Sequence, residues 1–335
     1  MGLNVNVDDI LARAHVVALP MAVRFRGVST REALLIEGPA GWGEFSPFVE
    51  YGDEESAAWL RAGLEAAYRG FGEFDLADGL VPINGTVPAV APDQVEAVLE
   101  RFPGVGTFKI KVAEKGQSLI DDLARLTAVH TLRPDAELRV DANCGWSVDE
   151  AVYAAGALAD AAGGMLRYIE QPCATVEELA LVRQRTDVPI AADESIRKAT
   201  DPYRVAELDA ADVAVAKVAP LGGVRTTVKI ASDLAARGMG ITVASALDTA
   251  VGISAGLVAA KALGASNAAG LGTQRLFAED VVEKQQLEAG CLKAAPCVPD
   301  PARLDVLAAS GERKDFWFAR LRRCCEVLER TEAKW

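Results

Sequence analysis

The sequence predicts an α/β protein built on a modified TIM-type (β/α)7β barrel, with an α+β capping domain formed from both chain termini. Two observations carry this prediction. Between about residues 80 and 275, a short apolar strand, a turn and an Ala/Leu-rich helix with charges on one face follow one another repeatedly. Such alternation indicates parallel βαβ units. The region also contains eight candidate strands, the number that closes a barrel.

The candidate strands are spaced regularly along residues 81–275. They end near Asn84, Lys111, Asn143, Glu170, Asp193, Lys217, Ser245 and Gly270. An open doubly wound sheet is the alternative architecture. That architecture would normally carry a Gly-x-Gly-x-x-Gly phosphate turn after its first strand, and the sequence has none.

The remaining residues, 1–80 and 276–335, are assigned to the capping domain. Apolar stretches ending in a Gly-Pro turn predict an antiparallel sheet at the N-terminus, and helical periodicity recurs near both termini. The predicted strands are His15–Phe25 and Glu32–Glu37, and the predicted helices span 53–70 and 314–330.

Composition narrows the range of partners. The net charge of −13 is spread along the chain, which argues against nucleic acid and anionic membrane surfaces. Residues 1–20 lack a signal-peptide pattern and no uncharged apolar run is long enough to span a bilayer, so we expect a cytoplasmic protein. Six cysteines without Cys-x-x-Cys spacing, and only two histidines, argue against zinc. No obligate protein partner is evident.

Two lysines stand out in the second candidate strand. In Phe108-Lys109-Ile110-Lys111-Val112, strand alternation places Lys109 and Lys111 on the same face. A barrel strand covered by helices offers no ordinary place for a charge, so an inward-facing pair needs a polar pocket. The alternative is that both lysines reach solvent with their charged ends.

Three acids follow apolar strands in succession: Asp141, Glu170 and Asp193. Because loops at the C-terminal ends of barrel strands share one face, we expect these carboxylates to converge. Convergent anions require a cation, and hard oxygen ligands favour Mg²⁺, with Mn²⁺ as a substitute. A single aspartate at a strand end is more often a helix N-cap, but three in register weaken that interpretation.

Lys217 ends an apolar strand one position beyond Asp193 in strand order. This order places it across the barrel mouth from Lys111. A lysine near a dication and a second lysine has its charged form disfavoured, and it can then act as a base near neutral pH. The alternative is an ordinary surface lysine at a strand end.

The pattern Lys109-x-Lys111, Asp141, Glu170, Asp193, Lys217 resembles the muconate-cycloisomerase-like branch of the enolase superfamily, whose members use a lysine or histidine base with Mg²⁺. Within this branch the chain is similar to the dehydratases of menaquinone biosynthesis, particularly the actinobacterial type. The closer likeness is carried by Phe25-Arg26-Gly27-Val28 with Arg31-Glu32, by residues 41–48, and by Gly270-Leu271-Gly272-Thr273.

The resemblance implies a role for each residue and a small carboxylate as substrate. Asp141, Glu170 and Asp193 would hold Mg²⁺. Lys111 would remove a proton next to the carboxylate and then help the β-hydroxyl leave as water. Lys109 would lower the proton affinity of Lys111, and Lys217 would face the intermediate from the other side. Asn143 and Ser245 would contact the substrate or support the catalytic side chains, and Gly270 would let the backbone approach the succinyl arm of the substrate.

Three alternatives remain at this point. A racemase of N-succinylamino acids would use the same lysines on opposite faces of one carbon. A dipeptide epimerase would need an Asp-x-Asp near the last strand, where this chain has Gly270-Leu271-Gly272-Thr273. A non-catalytic barrel that only binds a ligand would be expected to have lost a lysine or an acid, and all are present.

Overall fold

The computed structural model describes residues 6–25, 28–77, 79–198, 200–264 and 267–332. Arg26 and Gly27 of the Phe25–Val28 motif lie outside the described residues. The strands are β1 Ala14–Phe25, β2 Val28–Gly38, β3 Gly41–Phe45, β4 Leu80–Pro82, β5 Gly85–Val87, β6 Thr107–Lys111, β7 Glu137–Asp141, β8 Leu166–Glu170, β9 Ile190–Ala192, β10 Val213–Lys217, β11 Gly240–Ala244 and β12 Cys291–Lys293.

Helices alternate with the strands of the barrel and also pack on the N-terminal sheet. They are α1 Val7–Ala12, α2 Asp53–Leu64, α3 Val95–Leu99, α4 Leu119–Leu132, α5 Val148–Ala161, α6 Val176–Arg183, α7 Asp201–Glu207, α8 Val218–Leu221, α9 Val224–Ala235, α10 Ala250–Ala262, α11 Pro301–Val306 and α12 Gly311–Glu332. Short 3₁₀ turns occur at Pro92–Gln94, Glu194–Ile196 and Gly272–Leu276, and one π-helical turn at Glu65–Arg69. Within the described ranges, no helix is both long and apolar enough to cross a membrane.

Strands β5 to β11 form one parallel seven-stranded sheet in sequence order. Its two edges meet through residues 269 and 270, since Ala269 bridges Ile83 and Gly270 bridges Ala244, both in parallel. The eighth strand is thus reduced to a pair of bridging residues. The predicted fold class, a (β/α)7β barrel with an α+β cap, is confirmed.

The first barrel strand differs from its prediction. The apolar run that we expected to end near Asn84 forms β4, which pairs antiparallel with β12 outside the barrel. The barrel strand itself, β5, begins one residue later at Gly85. A side chain at Gly85 would collide with the ring of Phe108, since a Cβ there would lie 2.6 Å from it. Close packing of β5 on β6 therefore requires glycine at this position.

The cap contains the antiparallel sheet β1-β2-β3, covered by α2 and α12. One hydrophobic cluster joins residues from both ends of the chain, including Leu34, Trp59 and Trp317, each no more than 1% exposed. Gly43 lets β3 lie directly against α2, because a Cβ there would sit 1.9 Å from the carbonyl oxygen of Gly63. The proposed domain boundaries at 80/81 and 275/276 stay predictions.

Candidate active site

The register of the parallel sheet aligns three of the predicted residues in one row. Lys111 pairs with Asp141, and Asp141 pairs with Glu170, on neighbouring strands β6, β7 and β8. One row deeper, Lys109 lies beside Arg139. Strand alternation points both lysines into the barrel, where Lys111 is 8% exposed. The interpretation of solvent-facing lysines is therefore wrong.

The lysines make ion pairs with the three predicted acids. Lys109 Nζ lies 2.7 Å from Glu170 Oε1 and 3.3 Å from Asp141 Oδ2. Lys111 Nζ lies 2.5 Å from Asp141 Oδ2, and Lys217 Nζ lies 2.5 and 2.6 Å from the two oxygens of Asp193. All six side chains thus occupy one connected region toward the C-terminal ends of β6 to β10.

Burial and mutual repulsion shift the protonation of the deepest pair. Burial, followed by the charge of Asp141, raises the pKa of Glu170 to about 7, although Lys109 opposes this shift. Burial alone would lower the pKa of Lys109, but the Glu170 and Asp141 carboxylates together raise it above its ordinary value. Lys109 therefore stays cationic near neutral pH and neutralises part of the acid cluster.

The donor set fits a hard cation, with one carboxylate oxygen still unused. Glu170 is fully buried, and its Oε2 has no hydrogen-bond partner. A buried carboxylate oxygen without a partner is costly, and a metal ion would satisfy it. In the described part of the chain, no three His, Cys, Asp or Glu side chains already surround a common point. Lysine ammonium groups instead lie against these carboxylates.

A pocket opens above this cluster. It contains seven of the nine predicted residues, while Glu170 and Asn143 are not part of its wall. The wall comprises Phe48, Thr86, Lys109, Lys111, Asp141, Asp193, Lys217, Ala244, Ser245, Ala246, Leu247, Gly270 and Thr273. The seven predicted residues in the wall are the three lysines, the two aspartates, Ser245 and Gly270. The pocket thus joins the barrel mouth to one aromatic residue of the cap.

The three predicted contact residues have different surroundings. Asn143 Oδ1 accepts a hydrogen bond of 2.6 Å from Lys111 Nζ, and the Asn143 amide nitrogen donates one of 3.3 Å to Glu194 Oε1. Asn143 therefore connects Lys111 to Glu194. Ser245 shares a hydrogen bond of 2.6 Å with Thr273 in the pocket wall. Gly270 also lies in this wall. The roles of Asn143, Ser245 and Gly270 stay predictions.

Several pocket residues escaped the sequence analysis. Thr86 pairs with Lys109 across β5 and β6, and its polar side chain in a buried strand was a usable signal. Phe48 reaches the pocket only through packing of the cap, which no local pattern reveals. Arg31, quoted in the sequence only as part of the family likeness, lies behind this wall; it donates to the carbonyl oxygen of Leu247 at 3.0 Å and to Ser46 Oγ at 3.1 Å.

Comparisons with known proteins place this site in a family. The model described as Enolase C-terminal domain-like matches residues 92–299, and the model described as Enolase N-terminal domain-like matches residues 16–67. The chain therefore belongs to the enolase superfamily.

Curated relatives narrow this assignment. A protein named o-succinylbenzoate synthase in Mycolicibacterium smegmatis is 59% identical over 323 residues, covering 96% of this chain and 98% of that protein. One of the same name in Mycobacterium tuberculosis H37Rv is 55% identical, covering 96% of each chain. The chain is thus a member of the o-succinylbenzoate synthase family, a family of hydro-lyases, and the predicted relationship is confirmed.

Solved structures support the fold alone. The muconate lactonizing enzyme from Pseudomonas fluorescens, complexed with muconolactone, has a TM-score of 0.76 at 21% identity, covering 89% of this chain and 98% of that one. A putative sugar isomerase from Streptomyces coelicolor has a TM-score of 0.74 at 21% identity, covering 90% and 96%.

Proposed function

We propose that the protein catalyses the Mg²⁺-dependent syn-dehydration of 2-succinyl-6-hydroxy-2,4-cyclohexadiene-1-carboxylate to 2-succinylbenzoate. The observation that carries this proposal is the approach of Lys111 and Lys217 to one pocket beside Asp141 and Asp193. The names of the curated relatives give the product, o-succinylbenzoate, and the family resemblance implies the substrate. The same pocket chemistry suits any carbon acid with a carboxylate next to the proton that is lost.

The metal would be held by Asp141, Glu170 and Asp193, with Mn²⁺ as a substitute. The unpartnered Oε2 of Glu170 supports this assignment. When bound, the cation supplies positive charge to the substrate carboxylate while negative charge develops beside it. The lysine ammonium groups contact oxygens of these carboxylates. On metal binding they would have to share those oxygens with the cation or move away from them.

Lys111 acts first as base and then as acid in this proposal. Its neutral Nζ takes the proton from the carbon next to the carboxylate, and the resulting ammonium gives a proton to the departing hydroxyl group. Both transfers occur on the same face, as a syn elimination requires. Asn143 Oδ1 and Asp141 Oδ2 orient the Nζ through bonds of 2.6 and 2.5 Å.

The other two lysines have electrostatic tasks. Lys217, on β10, would face the intermediate from the opposite side as a cation, because its strand lies across the barrel mouth from β6. Lys109, kept cationic by Glu170 and Asp141, would lower the proton affinity of Lys111 one row above it. Ser245 and Gly270 would contact the substrate from the pocket wall.

A small-molecule carboxylate is the proposed partner, in the cytoplasm. The acidic charge supports the absence of nucleic acid and membrane partners from this proposal. We propose no obligate protein partner. These assignments follow from composition and from the pocket at the barrel mouth, which is lined by the predicted site residues.

The direct test is turnover of the cyclohexadiene carboxylate with and without EDTA. We expect formation of the aromatic product with Mg²⁺, its loss on chelation, and its return when Mg²⁺ or Mn²⁺ is added. Absence of product under every metal condition, with the protein folded, would contradict the proposal.

Racemisation of N-succinylamino acids is a second candidate activity. Two lysines from different strands line one pocket, which is the arrangement that two-base proton exchange requires. Incubation of N-succinylamino acids in D₂O tests it through exchange at the α-carbon. Exchange without dehydration of the cyclohexadiene substrate would make racemisation the principal activity.

A further inference from the structure

A buried arginine behind β6 holds the backbone next to Lys111. Arg125, on α4, donates from Nη1 to the carbonyl oxygen of Lys111 at 2.7 Å and to Asp122 Oδ1 at 3.0 Å. Asp122 accepts at Oδ2 from the backbone N–H of Ala113 at 2.9 Å. The side chains of Arg125 and Asp122 are each 1% exposed. This ion pair therefore contacts backbone groups on both sides of Val112.

The backbone at this point needs such support. On the β5 side the ladder ends with Val87 and Ile110, so Lys111 is paired only on the β7 side, with Asp141. Two residues later, Ala113 has φ of 57°, in the left-handed region that costs a non-glycine residue about 1–2 kcal/mol. Since Asp122 accepts the N–H of Ala113, the strained turn is fixed in one conformation.

The same guanidinium joins two further loops to the end of β6. Its Nε donates to the carbonyl oxygen of Val90 at 2.7 Å, after β5, and its Nη2 donates to Gln117 Oε1, before α4. Planar guanidinium donors can serve all these acceptors together, whereas a lysine ammonium offers one compact charge. Arg125 thus fixes the relative positions of three segments at the barrel mouth.

We infer that Arg125 and Asp122 are positioning residues for Lys111, an inference that rests on the proposed role of Lys111 as the base. A buried ion pair is weak evidence for stability, because desolvation offsets much of the attraction. Its geometric effect is specific here, since it holds the backbone from which the base projects. A displacement of about 1 Å at a reacting group can cost about 10²-fold in rate.

A similar but more exposed ion pair at the opposite end of the barrel serves as a control, with side chains 29% and 33% exposed. Arg183, on α6, lies 2.9 Å from Asp212 Oδ1, and Asp212 Oδ2 accepts from the backbone N–H of Ile190 at 2.9 Å. Here too an arginine on a helix pairs with an aspartate whose carboxylate accepts a hydrogen bond from the backbone of a strand. It lies where β9 and β10 begin, so its loss should affect folding without moving Lys111.

The test compares Arg125→Lys, Asp122→Asn and Arg183→Lys with the native protein. For Arg125→Lys we expect kcat to fall by about 10²-fold while KM changes little, because misplacement of the base affects the chemical step. Asp122→Asn keeps an acceptor for Ala113, so we expect it to fold and to show a smaller fall in kcat. Arg183→Lys should lose thermal stability and keep its kcat.

A second measurement separates this inference from the proposed function. Acetylation of Lys111 by acetic anhydride is followed by peptide mass spectrometry, with Lys229, whose side chain is 71% exposed, as internal reference. We expect Arg125→Lys to increase the rate of Lys111 acetylation relative to that of Lys229. Arg183→Lys should leave this ratio unchanged.

Unchanged labelling of Lys111 in Arg125→Lys, or a kcat equal to that of Arg183→Lys, would overturn the inference. If the native protein shows no dehydration, the proposed function fails instead. The labelling ratio then still decides whether Arg125 positions Lys111.

Discussion

The two ends of the barrel strands differ in how they carry charge. At the N-terminal ends, Arg167 pairs with Glu137, and their side chains are 63% and 36% exposed. At the C-terminal ends, Lys111, Asp141 and Glu170 are at least nine-tenths buried. Water stabilises the exposed charges at the N-terminal ends, so these side chains need few contacts with other protein groups. The second set must be stabilised by its own ion pairs, and by a cation and substrate, because isolated buried charges are costly.

Backbone strain follows the same division. Among the described residues, most non-glycine positions with positive φ come soon after the C-terminal end of a barrel strand, namely Ala113, Asn143, Cys144, Gln171 and Leu247. Asp209, before β10, is at the other end. Strained conformations persist where surrounding contacts determine them, and they cluster at functional sites. At the C-terminal ends, the strained backbone thus lowers stability but holds the site side chains in their arrangement.

The largest effect should follow from Glu170→Gln. This substitution removes one anionic ligand from the proposed metal site, and a metal ion supplies several kcal/mol of stabilisation to developing charge. We expect kcat/KM to fall by about 10³-fold, with weaker Mg²⁺ binding in calorimetric titration. If the variant binds Mg²⁺ with the affinity of the native protein, Glu170 is not a metal ligand.

A smaller effect should follow from Arg31→Met, which tests whether the cap shapes the pocket. Buried Arg31 holds the carbonyl oxygen of Leu247 and contacts Ser46, and hydrogen bonds of charged groups contribute about 1.5–3 kcal/mol. We expect a loss of this size in the free energy of unfolding, together with a raised KM. Chemical denaturation and steady-state kinetics measure the two effects. A native KM in the folded variant would show that the pocket wall is independent of Arg31.

The next effect concerns the pH dependence of stability. Burial is the main cause that raises the pKa of Asp280 to about 6, and this carboxylate accepts from the backbone N–H of Ala250 at the start of α10. The folded state therefore binds the proton more tightly than the unfolded state, and Asp280 lowers stability as pH rises from 4 to 8. We expect Asp280→Asn to gain about 2 kcal/mol relative to the native protein over this interval.

Urea denaturation at pH 4, 6 and 8 measures the difference between Asp280→Asn and the native protein. A difference that is constant with pH, or that shrinks as pH rises, would contradict the assigned role of Asp280. The variant keeps an amide oxygen that can accept from Ala250, so its fold should be retained.

The smallest effect should come from Arg167→Gln at the N-terminal ends of the strands. Because the ion pair with Glu137 is exposed, we expect a change in stability below about 1 kcal/mol, and an unchanged kcat. Differential scanning calorimetry and a kinetic assay check this. A large loss of activity in this variant would contradict the view that only the charged residues at the C-terminal ends of the strands serve catalysis.

Much of the barrel could be predicted because strand alternation and turn positions are local properties of the sequence. The sequence predicts that Asp141, Glu170 and Asp193 converge at strand ends; the sheet pairs Asp141 with Glu170, and Asp193 directly follows β9. The last strand was predicted as an ordinary strand. It is only the bridging pair Ala269 and Gly270, because pairing across the closure of a barrel is a non-local property.

The residues to which sequence reasoning assigned no place at the site act across long separations. Arg125 looks like any arginine in an amphipathic helix, and only the packing of α4 on β6 shows that it holds the carbonyl group of Lys111. Phe48 and Arg31 reach the barrel mouth through the docking of the cap. Such contacts depend on tertiary packing, for which a single sequence contains no periodic signal.

The central claim is that Lys111 performs the proton transfers at the buried end of the barrel. The most direct test is dehydration of the cyclohexadiene carboxylate by Lys111→Ala, at saturating Mg²⁺, with circular dichroism as the control for folding. We predict a fall in kcat of about 10³-fold, within the range for loss of a general acid–base group. Dehydration at a rate near that of the native protein would contradict the account.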